Sequence, residues 1–125
     1  MPYQNNPNQL YPYKDKFPVM GNNVFLAPGA MLIGDVEIGD NSNIWHHCVL
    51  RGDVNYIRVG KNVNIQDGTV VHVATHGPPT LIDDNVSIGH MALIHACHLM
   101  KNSFVGMKAV VMDCLLYTSP SPRDS

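Results

Sequence analysis

The chain has 125 residues, 45% hydrophobic and 14% charged, which suffices for one domain with a sizeable core. A net charge of −2 gives no electrostatic footprint for nucleic acid or an anionic membrane. Its three cysteines, Cys48, Cys97 and Cys114, have no CxxC spacing and read as free, mostly buried thiols in a reducing compartment rather than as a disulfide framework.

In chain order, residues 1–20 (MPYQNNPNQLYPYKDKFPVM) carry neither an apolar signal stretch nor any Arg, and are expected to be an N-terminal extension of a cytoplasmic protein. A period of six then takes over. Aliphatic anchors stand at Leu26, Leu32, Ile38, Ile44 and Leu50, at Val59, Ile65 and Val71, at Ile82, Ile88 and Ile94, and at Leu99, Val105 and Val111. Two places before each anchor is a small or aliphatic residue, such as Ala30, Val36, Cys48, Ile57, Val63 or Ala92. Residues two apart face the same side of a strand, so each period reads as one short strand and one corner. Gly34, Gly60, Gly89, Gly106 and Asp40 follow anchors, where a corner needs unusual backbone angles or a local side-chain hydrogen bond. Three periods close a triangular coil of about eighteen residues, and stacked coils bury the anchors inside a prism. The expected fold is all-β, a parallel β-helix of hexapeptide repeats over residues 21–113. An all-β sandwich is the alternative, but it needs alternating hairpin turns at a wider spacing of roughly 8 to 12 residues.

Two surpluses interrupt the sixes. Leu50 to Val59 is nine steps and Val71 to Ile82 is eleven. Insertions in a solenoid emerge as surface loops. With the walls named A, B and C in order from Ile38, both loops leave wall C at the same corner.

Residues after the inward anchors point outward. After the wall C anchors come Arg51, His72 and His95, which should form one column on adjacent coils about 4.8 Å apart. His90 follows Ile88 by two, at the corner leaving wall B, in a column with Asp67 and His46. Two stacked imidazoles and a third that cannot easily join them suggest a metal completed between subunits, with two ligands from one chain and one from its neighbour. Neutral imidazole suits zinc, three protein ligands leave a position for water, and a threefold ring would repeat the site three times. Against this stands the plain reading of each histidine as a surface residue, which is the one adopted for His47, His76 and His98; His46 is assigned to an interface.

The strings LRGDVNYIRVGKNVNIQDGTVVH, IGHMALIHAC and FVGM, spread over about residues 10–113, resemble the γ-class carbonic anhydrases of the hexapeptide-repeat superfamily. The resemblance implies a left-handed β-helix, a homotrimer, and Zn2+ (alternatively Fe2+ or Co2+) at each subunit interface. By motif position it implies His72, His90 and His95 as metal ligands, His90 facing a neighbour's other two. It implies Gln66 as a residue that hydrogen-bonds water on the metal and Asn64 as its neighbour in the site. Arg51, Asp53 and Asp67 would form an interface network, where the plain alternative is solvated charge. The implied reaction is reversible hydration of carbon dioxide to bicarbonate, since a divalent metal in a dry site brings the pKa of bound water toward 7.

The chain departs from that pattern at Val54, where prototype members have an acidic residue, and in the loop VATHGPPT, which has no carboxylate. His76 is the titratable side chain there and could move protons. After Asp113 the sixes stop: CLLYTSPSPRDS, residues 114–125, is expected to be a non-native or disordered tail in place of a further coil and a C-terminal helix. Two rival functions are a hexapeptide-repeat acyltransferase, with a loop histidine as general base, and a noncatalytic metal-locked trimeric scaffold.

Overall fold

In the computed structural model, which describes residues 7–113, most six-residue periods become one short strand and one corner, while Met31–Ile38 and Val49–Val59 each run through two periods as one strand. The expectation for the tail, including Cys114, lies outside the described residues. Fourteen strands follow in chain order: β1 (Leu10–Tyr11), β2 (Val19–Met20), β3 (Phe25–Leu26), β4 (Met31–Ile38), β5 (Asn43–Ile44), β6 (Val49–Val59), β7 (Asn64–Ile65), β8 (Val70–His72), β9 (Thr80–Ile82), β10 (Ser87–Ile88), β11 (Leu93–His95), β12 (His98–Leu99), β13 (Phe104–Val105) and β14 (Val110–Met112). Among the described residues no helix is long and apolar enough to cross a membrane.

The strands pair in parallel, coil above coil, in about five turns. Wall B is the ladder Leu26, Ile44, Ile65, Ile88, Val105. Wall C aligns Leu32, Leu50, Val71, Ile94 and Val111, and wall A aligns Ile38, Val59, Ile82 and Leu99. Every anchor and every residue two places before one is buried. Strands of two or three residues have little stability of their own. The prism is held by the stacked interior, where each fully buried Val, Leu or Ile contributes about 1.5–3 kcal/mol.

The ladders begin earlier than residue 21. Met20 pairs with Ile38 and Leu10 with Leu32, so part of the N-terminal extension forms coil. Met20 lies one period before Leu26, and Leu10 is separated from it by a third insertion at the corner leaving wall C. Gln9, itself buried, donates from Nε2 to the carbonyls of Ala27 and Ala30 at 2.8 and 3.0 Å, and so satisfies backbone acceptors on the first coil.

The corners differ from expectation in one respect. Gly34 does take a left-handed φ of 77°, but Gly60, Gly89 and Gly106 do not. At Gly60 and Gly89 the constraint is instead the coil above: a Cβ would stand 2.3 Å from Asp84 Oδ1 and 2.6 Å from the Met107 nitrogen. Left-handed geometry at the corner from A to B falls to an asparagine column, Asn23, Asn41, Asn62, Asn85 and Asn102, with φ of 57, 62, 58, 62 and 66°. Asp40 acts as its position suggested, Oδ1 accepting from the Asn22 N–H at 2.8 Å.

Both surpluses leave at the corner after wall C. The register between β4 and β6 shifts where Gly34 and Val36 face Gly52 and Ile57, and the extra residues of β6 bulge outward. Asn55 in that bulge donates from Nδ2 to the carbonyls of Ala74 and Gly77, at 3.3 and 3.1 Å, tying it to the loop after β8.

Candidate metal centre

β8 and β11 are neighbouring rungs of wall C, and their register places His72 directly opposite His95. Because each follows an inward anchor, both rings point out of the prism; the centroids are 5.4 Å apart, with planes at 56°. Two imidazoles bound to one tetrahedral zinc at about 2.0–2.1 Å would have their centroids roughly 5 Å apart. The spacing of the pair therefore matches that of two imidazoles on one divalent metal.

Each ring has one nitrogen on a carboxylate. His72 Nε2 donates to Asp53 Oδ1 at 2.9 Å, and His95 Nδ1 faces Asp113 Oδ1 at 3.2 Å. A carboxylate only accepts, so those nitrogens carry the protons and each neutral ring keeps its lone pair on the other nitrogen. Burial alone would raise the Asp53 carboxyl; the hydrogen bonds from His72, the Val54 N–H and Arg51 outweigh it and hold the group below the usual carboxylate range. Arg51, the preceding outward residue of wall C, is ion-paired with Asp53.

His90 stands at the other edge of wall C. Its Nδ1 lies 3.4 Å from Asp67 Oδ1, and His46 Nδ1 lies 3.4 Å from Asp67 Oδ2, so the column His46, Asp67, His90 forms at the corner leaving wall B. Asp67 thus meets histidines within the chain, and Arg51 meets Asp53. Among the described residues no three His, Cys, Asp or Glu side chains of one chain converge as a metal-holding group.

On wall B, Asn64 and Gln66 flank Ile65 and are joined, the Gln66 amide donating to Asn64 Oδ1. Asn64 donates in turn to Asn43 Oδ1, which also accepts from Trp45 Nε1 at 2.8 Å. With its NH2 group engaged there, Gln66 keeps its Oε1 as an acceptor. Of the histidines read as surface residues, His98 is half-buried with Nε2 2.9 Å from both Asp83 oxygens. His47 occupies a corner with φ of 62°, and His76 is exposed. Asn43, Asn55, Asp83 and Asp113 were not singled out from sequence, because only the coil-to-coil register brings them against their partners.

A stacked parallel β-helix built on a period of six defines the hexapeptide-repeat class of proteins. Residues 17–52 match the family model described as bacterial transferase hexapeptide (six repeats). Among solved structures, a hexapeptide transferase family protein from Anaplasma phagocytophilum has a TM-score of 0.79 at 43% identity, covering 88% of this chain and 71% of that one. A Bacillus cereus protein named as a putative acetyltransferase has a TM-score of 0.80 at 36% identity, with 83% and 60% covered. The mitochondrial gamma carbonic anhydrase 2 of Arabidopsis thaliana is 54% identical over 104 residues, which are 79% of this chain and 37% of that protein. A probable carbonic anhydrase of Methanocaldococcus jannaschii is 50% identical over 93 residues, 74% of this chain and 58% of that protein. The chain therefore belongs to the γ-carbonic-anhydrase-like hexapeptide-repeat family. It spans between about a third and three fifths of the length of the curated relatives it matches.

Proposed function

We propose that the protein catalyses reversible hydration of carbon dioxide, CO2 + H2O ⇌ HCO3− + H+, at sites shared between the subunits of a homotrimer. The observation that carries this reading is the adjacent pair His72 and His95, each with one nitrogen fixed on a carboxylate and the other untied. His72 and His95 of one protomer, with His90 of the next, would hold Zn2+, or Fe2+ or Co2+ in its place. The metal, when bound, supplies the Lewis acidity that makes water a nucleophile at neutral pH.

The chain's own residues do the rest. Gln66 presents Oε1 as an acceptor for an O–H of the reacting water, its orientation fixed through Asn64 and Asn43. Arg51 and Asp53 keep the loop corner beside His72 in place. Val54, 43% exposed, adds no proton acceptor. His76, the exposed titratable side chain of the tied loop, is the group that would pass a proton to solvent. The names of the plant and archaeal relatives support the same reaction.

The test is stopped-flow hydration of carbon dioxide by the zinc-loaded protein, with zinc content measured alongside. Wild type is expected to accelerate hydration, and His72→Ala to lose zinc and fall to the uncatalysed rate. A zinc-loaded protein with no activity would instead favour a metal-locked scaffold.

A second reading is acyl transfer, favoured by the acetyltransferase name of the Bacillus cereus relative. Wall A carries a groove of about 380 Å³ lined by Arg58, Leu81, Asp83, His98 and Lys101, among others. Its Arg58 is already engaged by Asp35 and Glu37, at 3.0 and 3.5 Å, which leaves little positive charge for a phosphorylated cofactor. Acyl transfer needs no zinc, so metal content separates the two readings.

A further inference from the structure

We infer that Asp113 is a positioning residue for the metal site: it holds His95 in the tautomer whose Nε2 lone pair is free to bind. The inference rests on the reading of His95 as a metal ligand. Asp113 sits one coil beyond His95, at the corner after β14, with φ of 51°. It grips His95 twice. Its backbone N–H donates to the His95 carbonyl at 2.8 Å, and its Oδ1 receives the ring Nδ1–H at 3.2 Å.

The equivalent position one coil earlier shows that the repeat does not require this arrangement. Ala96 also has φ of 51° and donates its N–H to the His72 carbonyl at 3.3 Å, but it has no side-chain acceptor. His72 takes its carboxylate from Asp53 in the bulge instead. The carboxylate on each histidine is thus supplied separately, from two unrelated places in the chain. That matches the chemistry of metal-ligating imidazoles, which donate their second N–H to an oxygen acceptor that sets the tautomer and raises basicity. Neutral imidazole free in water carries its proton mainly on Nε2, the nitrogen that His95, with Nδ1 on Asp113, would offer to a metal. Asp113 reverses that preference before any metal arrives.

Asp113 is also separable from the fold in a way that Asp53 is not. Its side chain is 61% exposed, whereas that of Asp53 is 12% exposed and bonded to Arg51 as well. Glycine accepts a φ near 51° without steric cost, so Asp113→Gly removes the carboxylate and keeps the corner. Asp113→Asn keeps the shape and a weaker, neutral acceptor.

The test measures zinc affinity of the full chain by competition with a chromophoric chelator, and the tautomer of His95 in the metal-free protein by 15N NMR. Asp113→Gly is expected to bind zinc about ten- to a hundredfold more weakly, with an unchanged melting temperature and the His95 proton moved to Nε2. Asp113→Asn should fall between the two. Wild-type affinity in Asp113→Gly, or in Asp113→Asn should the glycine variant not fold, would overturn the inference provided that His95→Ala has lost zinc. If His95→Ala itself binds zinc as wild type does, the ligand reading fails and takes this inference with it.

Discussion

Cys48 lies two places before Leu50 on wall C, wholly buried, its thiol donating to the Gln66 carbonyl at 2.9 Å. Burial disfavours the thiolate more than nearby backbone hydrogen bonds favour it, and pushes the group from 9.0 up to about 11. The thiolate is the reactive form, so at pH 8 iodoacetamide should modify Cys48 only in denaturant, as read by peptide mass spectrometry. The sign of the pH effect follows from linkage. The unfolded chain ionises first, so the contribution of a buried neutral thiol is intact below pH 9 and is lost as pH rises to about 11. The urea midpoint should fall across that window, and Cys48→Ala should fall less. At the same scale, the adjacency of His72 and His95 was legible in sequence, because counting the eleven-step surplus as a loop restores the register between them. Asp113 and Asn55 were not: their roles depend on a carboxylate reaching a ring nitrogen and an amide reaching across two loops. Period and polarity do not encode such reach.

The corner elements show what a period of six leaves open. The anchors predict strands and their stacking, and all fourteen are buried where the pattern puts them. Which corner residue turns left-handed is not legible, since both the glycines after the anchors and the asparagines three places beyond Ile38, Val59, Ile82 and Leu99 can adopt positive φ. Asparagine tolerates φ near 60° better than other side-chain-bearing residues, and branched residues tolerate it least. Asn62, exposed with φ of 58°, gives a clean comparison. Asn62→Gly should leave the urea midpoint nearly unchanged, while Asn62→Val should destabilise by roughly 1–2 kcal/mol. Equal costs for the two would mean that backbone conformation does not limit this corner. The first coil is hidden in the sequence for a related reason. Met20 keeps the period, but Leu10 is set off from it by an insertion, and one anchor on either side of a loop makes no visible repeat.

For the whole molecule, the prism separates its candidate ligands by the width of a wall. His72 and His95 occupy the edge of wall C that meets the loops, and His90 occupies the edge that meets wall B. If one trimer site takes its first two ligands from one protomer and its third from the next, two chains that each lack a different ligand should repair one another. His72→Ala and His90→Ala proteins are each expected to lose zinc alone. Unfolded together in equal amounts and refolded, they should form mixed rings in which one interface of three joins an intact His72 and His95 pair to an intact His90. Random assembly into closed threefold rings makes about a quarter of all sites whole. Zinc content and carbon dioxide hydration should both recover to about that fraction. The mixture of His72→Ala with His95→Ala lacks the complementary halves and should recover nothing, since both losses fall on the same face of the same chain. Recovery in that control, or none in the first mixture despite mixed trimers seen by native mass spectrometry, would mean that the site is not divided between protomers in this way.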